Sequence, residues 1–202
     1  VATLASITAA IMLGNQTPLV VVIIVALIIG ALSGVLNGVL VAILKIPAII
    51  ATLGTMQIFR GLAYLLTNGK TVMIENEGFE LIGKGYIFNF IPIPIIIMIV
   101  VFIFIFYLLK FTSLGRKVYA VGGNEHASYL SGINTIRIKF IALIICGVSS
   151  ALAGIILTSQ VSAAIPSTGV GSEMGVLSAV ILGGISLSGG KGRISGTIIG
   201  VL

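Results

Sequence analysis

The stretch LVVVIIVALIIGALSGVLNGVLVAIL, Leu19 to Leu44, decides the fold. It holds no charged residue, and it exceeds the ~20 apolar residues a helix needs to cross a hydrocarbon layer about 30 Å thick. The chain as a whole is also strongly apolar. Of 202 residues, 58% are hydrophobic and 8% charged, where a soluble domain carries about 25% charged residues. The mean hydropathy is +1.27. A water-soluble core of this size has no room for so much apolar surface. Lipid is the solvent that fits.

Working outward from this run, further spans appear on both sides. Upstream, Gly14-Asn15-Gln16-Thr17-Pro18 reads as a turn, with Pro18 suited to a helix start. A partial span ends before it, near Leu13. Downstream, Lys45-Ile46-Pro47 closes the central run, and a third span extends from about Pro47 to Leu66. Residues 67–85 are polar and read as a loop with a short surface helix. A fourth span is predicted from about Tyr86 to Leu109, with Pro92 and Pro94 in its first turns, where a missing N–H costs least. Residues 110–139 form the most polar loop. A fifth span is predicted from Phe140 to about Gln160, followed by small, turn-prone residues 161–172. A short apolar stretch, Glu173 to Ile185, either spans thinly or dips in and returns. A last span starts at Ile194. The fold class expected is all-α, a polytopic transmembrane bundle forming a single domain over 1–202. The chain begins without Met and ends inside an apolar segment, so both ends read as cut from a longer protein.

Orientation follows from the positive residues. Cytoplasmic loops are enriched in Lys and Arg. The 110–139 loop carries Lys110, Arg116, Lys117, Arg137 and Lys139 against Glu125 alone, which places it inside the cell. Alternation then puts 67–85 and 161–172 outside. The formal net charge of +6 is spread through loops, so it reads as a topology signal and not as a nucleic-acid footprint. The lone Cys146 makes no internal disulfide, and neither it nor the lone His126 has neighbours for a metal site. No cofactor is expected.

Glycine spacing carries the packing. Gly30, Gly34 and Gly38 recur every fourth residue, as do Gly192, Gly196 and Gly200. On helices these would line one face and let backbones approach closely.

The polar loop contains a well-delimited short helix. Asn124 is a good N-cap, Glu125 sets negative charge on the positive helix end, and Gly132 suits the position just past the C-terminus. Ala127, Leu130 and Ile133 give it an apolar face. From the residues alone two readings stand: a surface helix lying on the membrane, or a rigid knob for a partner's groove. Among polar residues at membrane depth, Arg60 is costly, about 2.5–3.5 kcal/mol at mid-helix on insertion scales. It either pairs with Glu173 or snorkels outward. Asn37, Thr52, Thr55 and Gln57 either line a solute path or glue helices together.

Several blocks together resemble the ribose/xylose/arabinose-type permeases of ATP-binding-cassette (ABC) importers. They are Ile46-Pro47-Ala48-Ile49-Ile50-Ala51-Thr52-Leu53-Gly54, Phe59-Arg60-Gly61, Thr67-Asn68-Gly69, Leu114-Gly115-Arg116, the run Gly122 to Ile133, and Gly183-Gly184-Ile185-Ser186-Leu187-Ser188-Gly189-Gly190-Lys191-Gly192. Leu130-Ser131-Gly132-Ile133-Asn134 is most similar to the ribose-type members. The resemblance implies a fragment of a roughly ten-helix permease, with further spans on either side of 1–202. It also implies that 110–139 is a cytoplasmic coupling loop whose Gly123, Asn124, Glu125, His126, Ala127, Leu130 and Gly132 engage an ATPase. The partners implied are ABC ATPase subunits, an external sugar-binding protein and a second permease copy, in the bacterial inner membrane.

The alternatives fare less well on residues. An ion-coupled secondary carrier for a small neutral solute predicts acids at the bilayer midplane, yet every acid here is read in a loop or at a segment end. An intramembrane enzyme predicts paired catalytic groups, and the chain has one His and no Asp. Gly190-Lys191 does not make a phosphate loop, since the required glycine falls on Ile185 and the required hydroxyl on Gly192. ATP chemistry is therefore expected on another subunit.

Overall fold

The computed structural model describes residues 1–87, 90–186, 189–192 and 194–201, with Ile194, Ser195 and Val201 as backbone only. The order is α1 (Ala2–Gly14), α2 (Leu19–Gly38), a π-helical turn (Val39–Ile43), α3 (Ala48–Thr67), β1 (Val72–Met73) and α4 (Glu77–Lys84). There follow β2 (Tyr86–Ile87), β3 (Ile91–Pro92), α5 (Ile93–Phe111), α6 (Ser113–Gly123), α7 (Glu125–Leu130), α8 (Thr135–Val161), β4 (Ala163–Ala164), α9 (Ser172–Leu182) and α10 (Ile194–Val201). Among the described residues four helical stretches are long and apolar enough to cross a membrane: Leu19–Ile43, Ala48–Thr67, Ile93–Phe111 and Thr135–Val161. The protein is an all-α, polytopic membrane protein. α5 shows why: none of its residues is buried against protein, so a surrounding of lipid or other apolar surface is the only one it tolerates.

Two span boundaries differ from the sequence expectation. The fourth span starts at Ile93 and not at Tyr86. Tyr86 and Ile87 instead pair antiparallel with Pro92 and Ile91, which places Pro92 at the edge of a two-residue ladder, where it has no ladder bond to lose, and leaves Pro94 in the first turn of α5. The fifth span starts at Thr135 and not at Phe140, because Asn134 accepts from the Arg137 N–H at 3.0 Å and caps the helix there. Arg137 and Lys139 thus sit in its first turns. The polar loop between the spans is itself mostly helix, α6 and α7. α9 has 11 residues, about 16 Å at 1.5 Å per residue, so it does not cross a ~30 Å layer by itself.

The chain divides into two compact units, Val1–Ile99 with Phe140–Thr168, and Val100–Lys139 with Gly169–Leu202. In the first, α2 and α8 meet backbone to backbone. A Cβ on Gly30 would lie 2.6 Å from the Gly147 carbonyl oxygen, one on Gly34 2.5 Å from the Leu143 oxygen, and one on Gly38 2.6 Å from the Phe140 ring. α1 packs on α2 and α3, and its Ala5, Ile7, Ala9 and Ala10 join Val22, Ala26, Ala151 and Ile155 in the core. With no hydrophobic drive between helices in lipid, such close contacts supply the association. At the end of this unit where α1 turns into α2, Val72 and Met73 pair with Ala164 and Ala163. Phe79 of α4 is fully buried there, and its carbonyl accepts from the Ser159 hydroxyl at 2.5 Å.

In the second unit, α9 and α10 form a hairpin. Gly183 abuts Gly196, and Gly200 abuts Ala179. Gly192, expected on one helix face with Gly196 and Gly200, lies outside α10, in the loop before it. There it faces the Ile185 side chain.

Candidate functional site

The site is built from consecutive caps. Lys110 ends α5 with its ammonium 5.0 Å from the Phe106 ring centroid and 5.5 Å from that of Phe111, a cation held over aromatic faces at the helix end. The chain then turns sharply. Thr112 accepts from the Gly115 N–H at 3.3 Å and starts α6. Gly115 is required, because a Cβ there would run into the backbone of Leu109. Leu114, Val118 and Val121 turn inward on α6, while Arg116 and Lys117 are exposed.

Asn124 is the single residue that joins the two helices. Its backbone N–H closes α6 by donating to Ala120 O at 3.0 Å, and its side-chain oxygen accepts from Ala127 N–H at 2.9 Å to open α7. At the other end the N–H of Gly132 donates to Tyr129 O at 2.9 Å and that of Ile133 to Ser128 O at 3.0 Å. Gly132 takes φ +80°. This is the paired C-terminal motif that glycine favours. The Glu125 carboxylate sits 2.6 Å from the Lys139 ammonium of α8. α7 is therefore stapled at its start, its end and its flank.

The structure gathers Gly123, Asn124, Glu125, His126, Ala127, Leu130 and Gly132 on this one knob. Only Ser128 of α7 is buried. Tyr129 and Leu130 are 67% and 73% exposed. An open cleft of about 550 Å³ lies beside them, lined by Tyr129, Leu130, Gly132, Ile133, Asn134, Thr135 and Ile136. Of the two, Tyr129 is of a residue type enriched at protein–protein contacts. In sequence Thr112 carries no assigned role, Asn134 only a place in the ribose-type run and Lys139 only an orientation signal; the structure makes the first two caps and the third the partner of Glu125. The first two carried a usable signal, a capping side chain directly before a helical pattern.

The residues expected on a solute path fall into separate groups. The Thr55 hydroxyl donates to Asn37 Oδ1 at 2.7 Å, joining α3 to α2 in a buried bond. Thr52 turns its hydroxyl onto Ala48 O at 2.8 Å. Gln57 accepts from Arg60 Nη1 at 3.2 Å on a different face of α3, about 200° around the helix from Thr55. Gly54 and Gly61 lie near Gln57, and a Cβ on either would meet nothing within 4 Å. Glu173 opens α9.

Within the first unit, beside the β1–β4 pair, Ser162 donates to Glu80 Oε1 at 2.7 Å and accepts from Lys84 Nζ at 2.5 Å. The Ser162 hydrogen bond, opposed by desolvation and helped by Lys84, holds the Glu80 carboxyl below its ordinary range.

Comparison with known proteins gives one consistent picture. The family described as branched-chain amino acid transport system / permease component matches residues 1–202. The L-arabinose transport system permease protein AraH of Escherichia coli (strain K12) is 44% identical over 162 residues, 80% of this chain and 49% of that protein. The ribose import permease protein RbsC of Haemophilus influenzae is 46% identical over 162 residues, 78% of this chain and 50% of that protein. RbsC of Bacillus subtilis (strain 168) is 44% identical over 160 residues, 78% and 49% of the two chains. The chain spans about half the length of these curated relatives. No solved structure matches it at a significant level. With a family match running from its first residue to its last, the chain belongs to the permease components of the branched-chain amino acid transport type, alongside the arabinose and ribose permeases.

Proposed function

We propose that the complete protein is the membrane-spanning subunit of a bacterial ABC importer for a simple sugar, a ribose-type pentose being favoured. The observation that carries the coupling part is the knob: a helix capped at both ends that leaves Tyr129 and Leu130 exposed beside an open cleft. The sugar part rests on the names of the relatives, which are arabinose and ribose permeases.

In this reading the bundle sits in the inner membrane with α6 and α7 in the cytoplasm, and α4 with the β1–β4 pair outside. An extracytoplasmic binding protein delivers the sugar to the outer end. Two permease copies, taken as identical, enclose the path. α7 sits in a groove of a separate ATPase subunit, and closure of two such subunits on ATP displaces it. Stiffness is the physical requirement, since a frayed loop would absorb the stroke. Gln57, Arg60 and Glu173 are the residues proposed to meet solute or water, while Asn37 and Thr55 hold α2 to α3. The exposed row Gly54, Gln57 and Gly61 gives α3 a smooth, weakly polar face.

The test is co-purification of the full-length protein with the ATPase and binding protein, then ATP hydrolysis measured against a panel of loaded sugars. Stimulation by ribose or arabinose is expected. Failure of the ATPase to co-purify, or stimulation by amino acids alone, sinks the reading.

A further inference from the structure

The glycine-rich run before α10 is seated on α6. A Cβ on Gly122 would fall on the backbone nitrogen of Gly190, and one on Gly190 would fall on the backbone of Gly123. Two backbones therefore touch with no side chain between them. Gly189 and Gly190 adopt φ +90° and +75°, which other residues take only at a cost. One turn earlier on α6, Tyr119 donates its hydroxyl to Gly192 O at 3.2 Å. Tyr119 and Gly122 are three residues apart and so share a face of the helix. The loop is braced within itself: Ser186 N–H donates to Lys191 O and Gly189 N–H to Ser186 O, each at 3.0 Å.

Both sides of this contact are stiff. On one side, α6 and α7 are joined by the single residue Asn124, which closes one helix and caps the next. On the other side, α9 and α10 are packed backbone to backbone through Gly183, Gly196 and Gly200. Close-packed backbone contacts transmit displacement because nothing between them yields. The ion pair from Glu125 to Lys139, with side chains 51% and 29% exposed, is softer and screened by salt.

We propose that Tyr119 and Gly122 are positioning residues for coupling: they seat the tip of the α9–α10 hairpin on the last turn of α6, so that a push on α7 carries the hairpin with it. This rests on the importer reading above. It adds a route to α9 and α10 that bypasses the spans directly joined to the knob. It also gives the glycines from Gly189 to Gly192 a mechanical role where a nucleotide-binding one fails.

The experiment uses the full-length permease with its ATPase and binding protein in lipid vesicles, with ribose and arabinose as probes. Uptake and ATP hydrolysis are measured together. Gly122→Ala inserts a methyl between the backbones and should lower uptake per ATP by about tenfold. Tyr119→Phe removes only the hydroxyl and should lower it by about threefold. ATPase co-purification should be unchanged in both, because neither residue lies on α7. Should Gly122→Ala fail to reach the membrane, Tyr119→Phe decides alone. Parental uptake per ATP in Tyr119→Phe, with the ATPase bound, overturns the joint and leaves the importer reading standing. Absence of the ATPase from the parental complex overturns the importer reading and the joint together.

Discussion

At the scale of single residues, caps outweigh charges. Loss of a side-chain N-cap costs about 1 kcal/mol, while an exposed ion pair is worth about 0.2–1 kcal/mol and fades with salt. Asn124 therefore matters more to α7 than Glu125 does. Asn124→Ala should speed amide exchange across Glu125–Leu130 at every ionic strength, by about fivefold. Glu125→Gln should do so only at low salt. Equal effects of the two variants at high salt would show that the cap does not hold the helix. Glu80 gives a second residue-level prediction. Its carboxyl is held below its unfolded value by Ser162 first and Lys84 next. A depressed carboxylate stabilises the fold above its unfolded pKa and loses that contribution as pH falls through its folded pKa. The link between α4 and Ser162 should thus persist at neutral pH and weaken in acid, below the ordinary carboxylate range. Amide exchange of Phe79–Lys84 followed against pH checks this, and Ser162→Ala should move the transition up towards the ordinary Glu value. A transition that stays put in Ser162→Ala would assign the shift elsewhere.

At the scale of elements, the spans were legible because charge-free length is a strong signal in a chain with so few charges. Their boundaries were less so. Arg137 and Lys139 hid the true start of α8, since long basic side chains can leave a helix end for water. α6 has the look of a loop in sequence because Arg116, Lys117, Gly122 and Gly123 mask the inward row Leu114, Val118 and Val121. α7 was readable residue by residue, from Asn124 as cap to Gly132 in the left-handed region. The π-helical turn at Val39–Ile43 has no mark in sequence. Nor does the facing of α3: with polar residues on more than one side of the helix, periodicity does not say which side meets protein. This is why Asn37 with Thr55 and Gln57 with Arg60 read alike in sequence yet lie on different faces. α7 itself yields the element-level prediction. Leu130→Pro removes an N–H and clashes with the preceding turn, costing about 3 kcal/mol, more than a helix this short withstands. Uptake should be lost by about a hundredfold or more while the protein still inserts and reaches normal levels in the membrane. Normal uptake by Leu130→Pro would mean that α7 is not the coupling element.

At the scale of the whole molecule, everything about coupling depends on which side of the membrane the knob faces. The charges argue for the inside. Residues 110–139 hold five basic residues and one acid, whereas 67–85 hold Lys70 and Lys84 against Glu75, Glu77 and Glu80. Orientation follows Lys and Arg in short loops, and both segments are short. The check is cysteine accessibility in intact cells. Cys146 is exposed on α8, so it is first replaced by Ser. Glu77→Cys on α4 should react with a membrane-impermeant maleimide added outside. Lys117→Cys, at an exposed position of α6 outside the proposed groove contact, should react only after the cells are opened. The reversed pattern would put α7 outside, beyond reach of any ATPase, and the importer mechanism would fall with it.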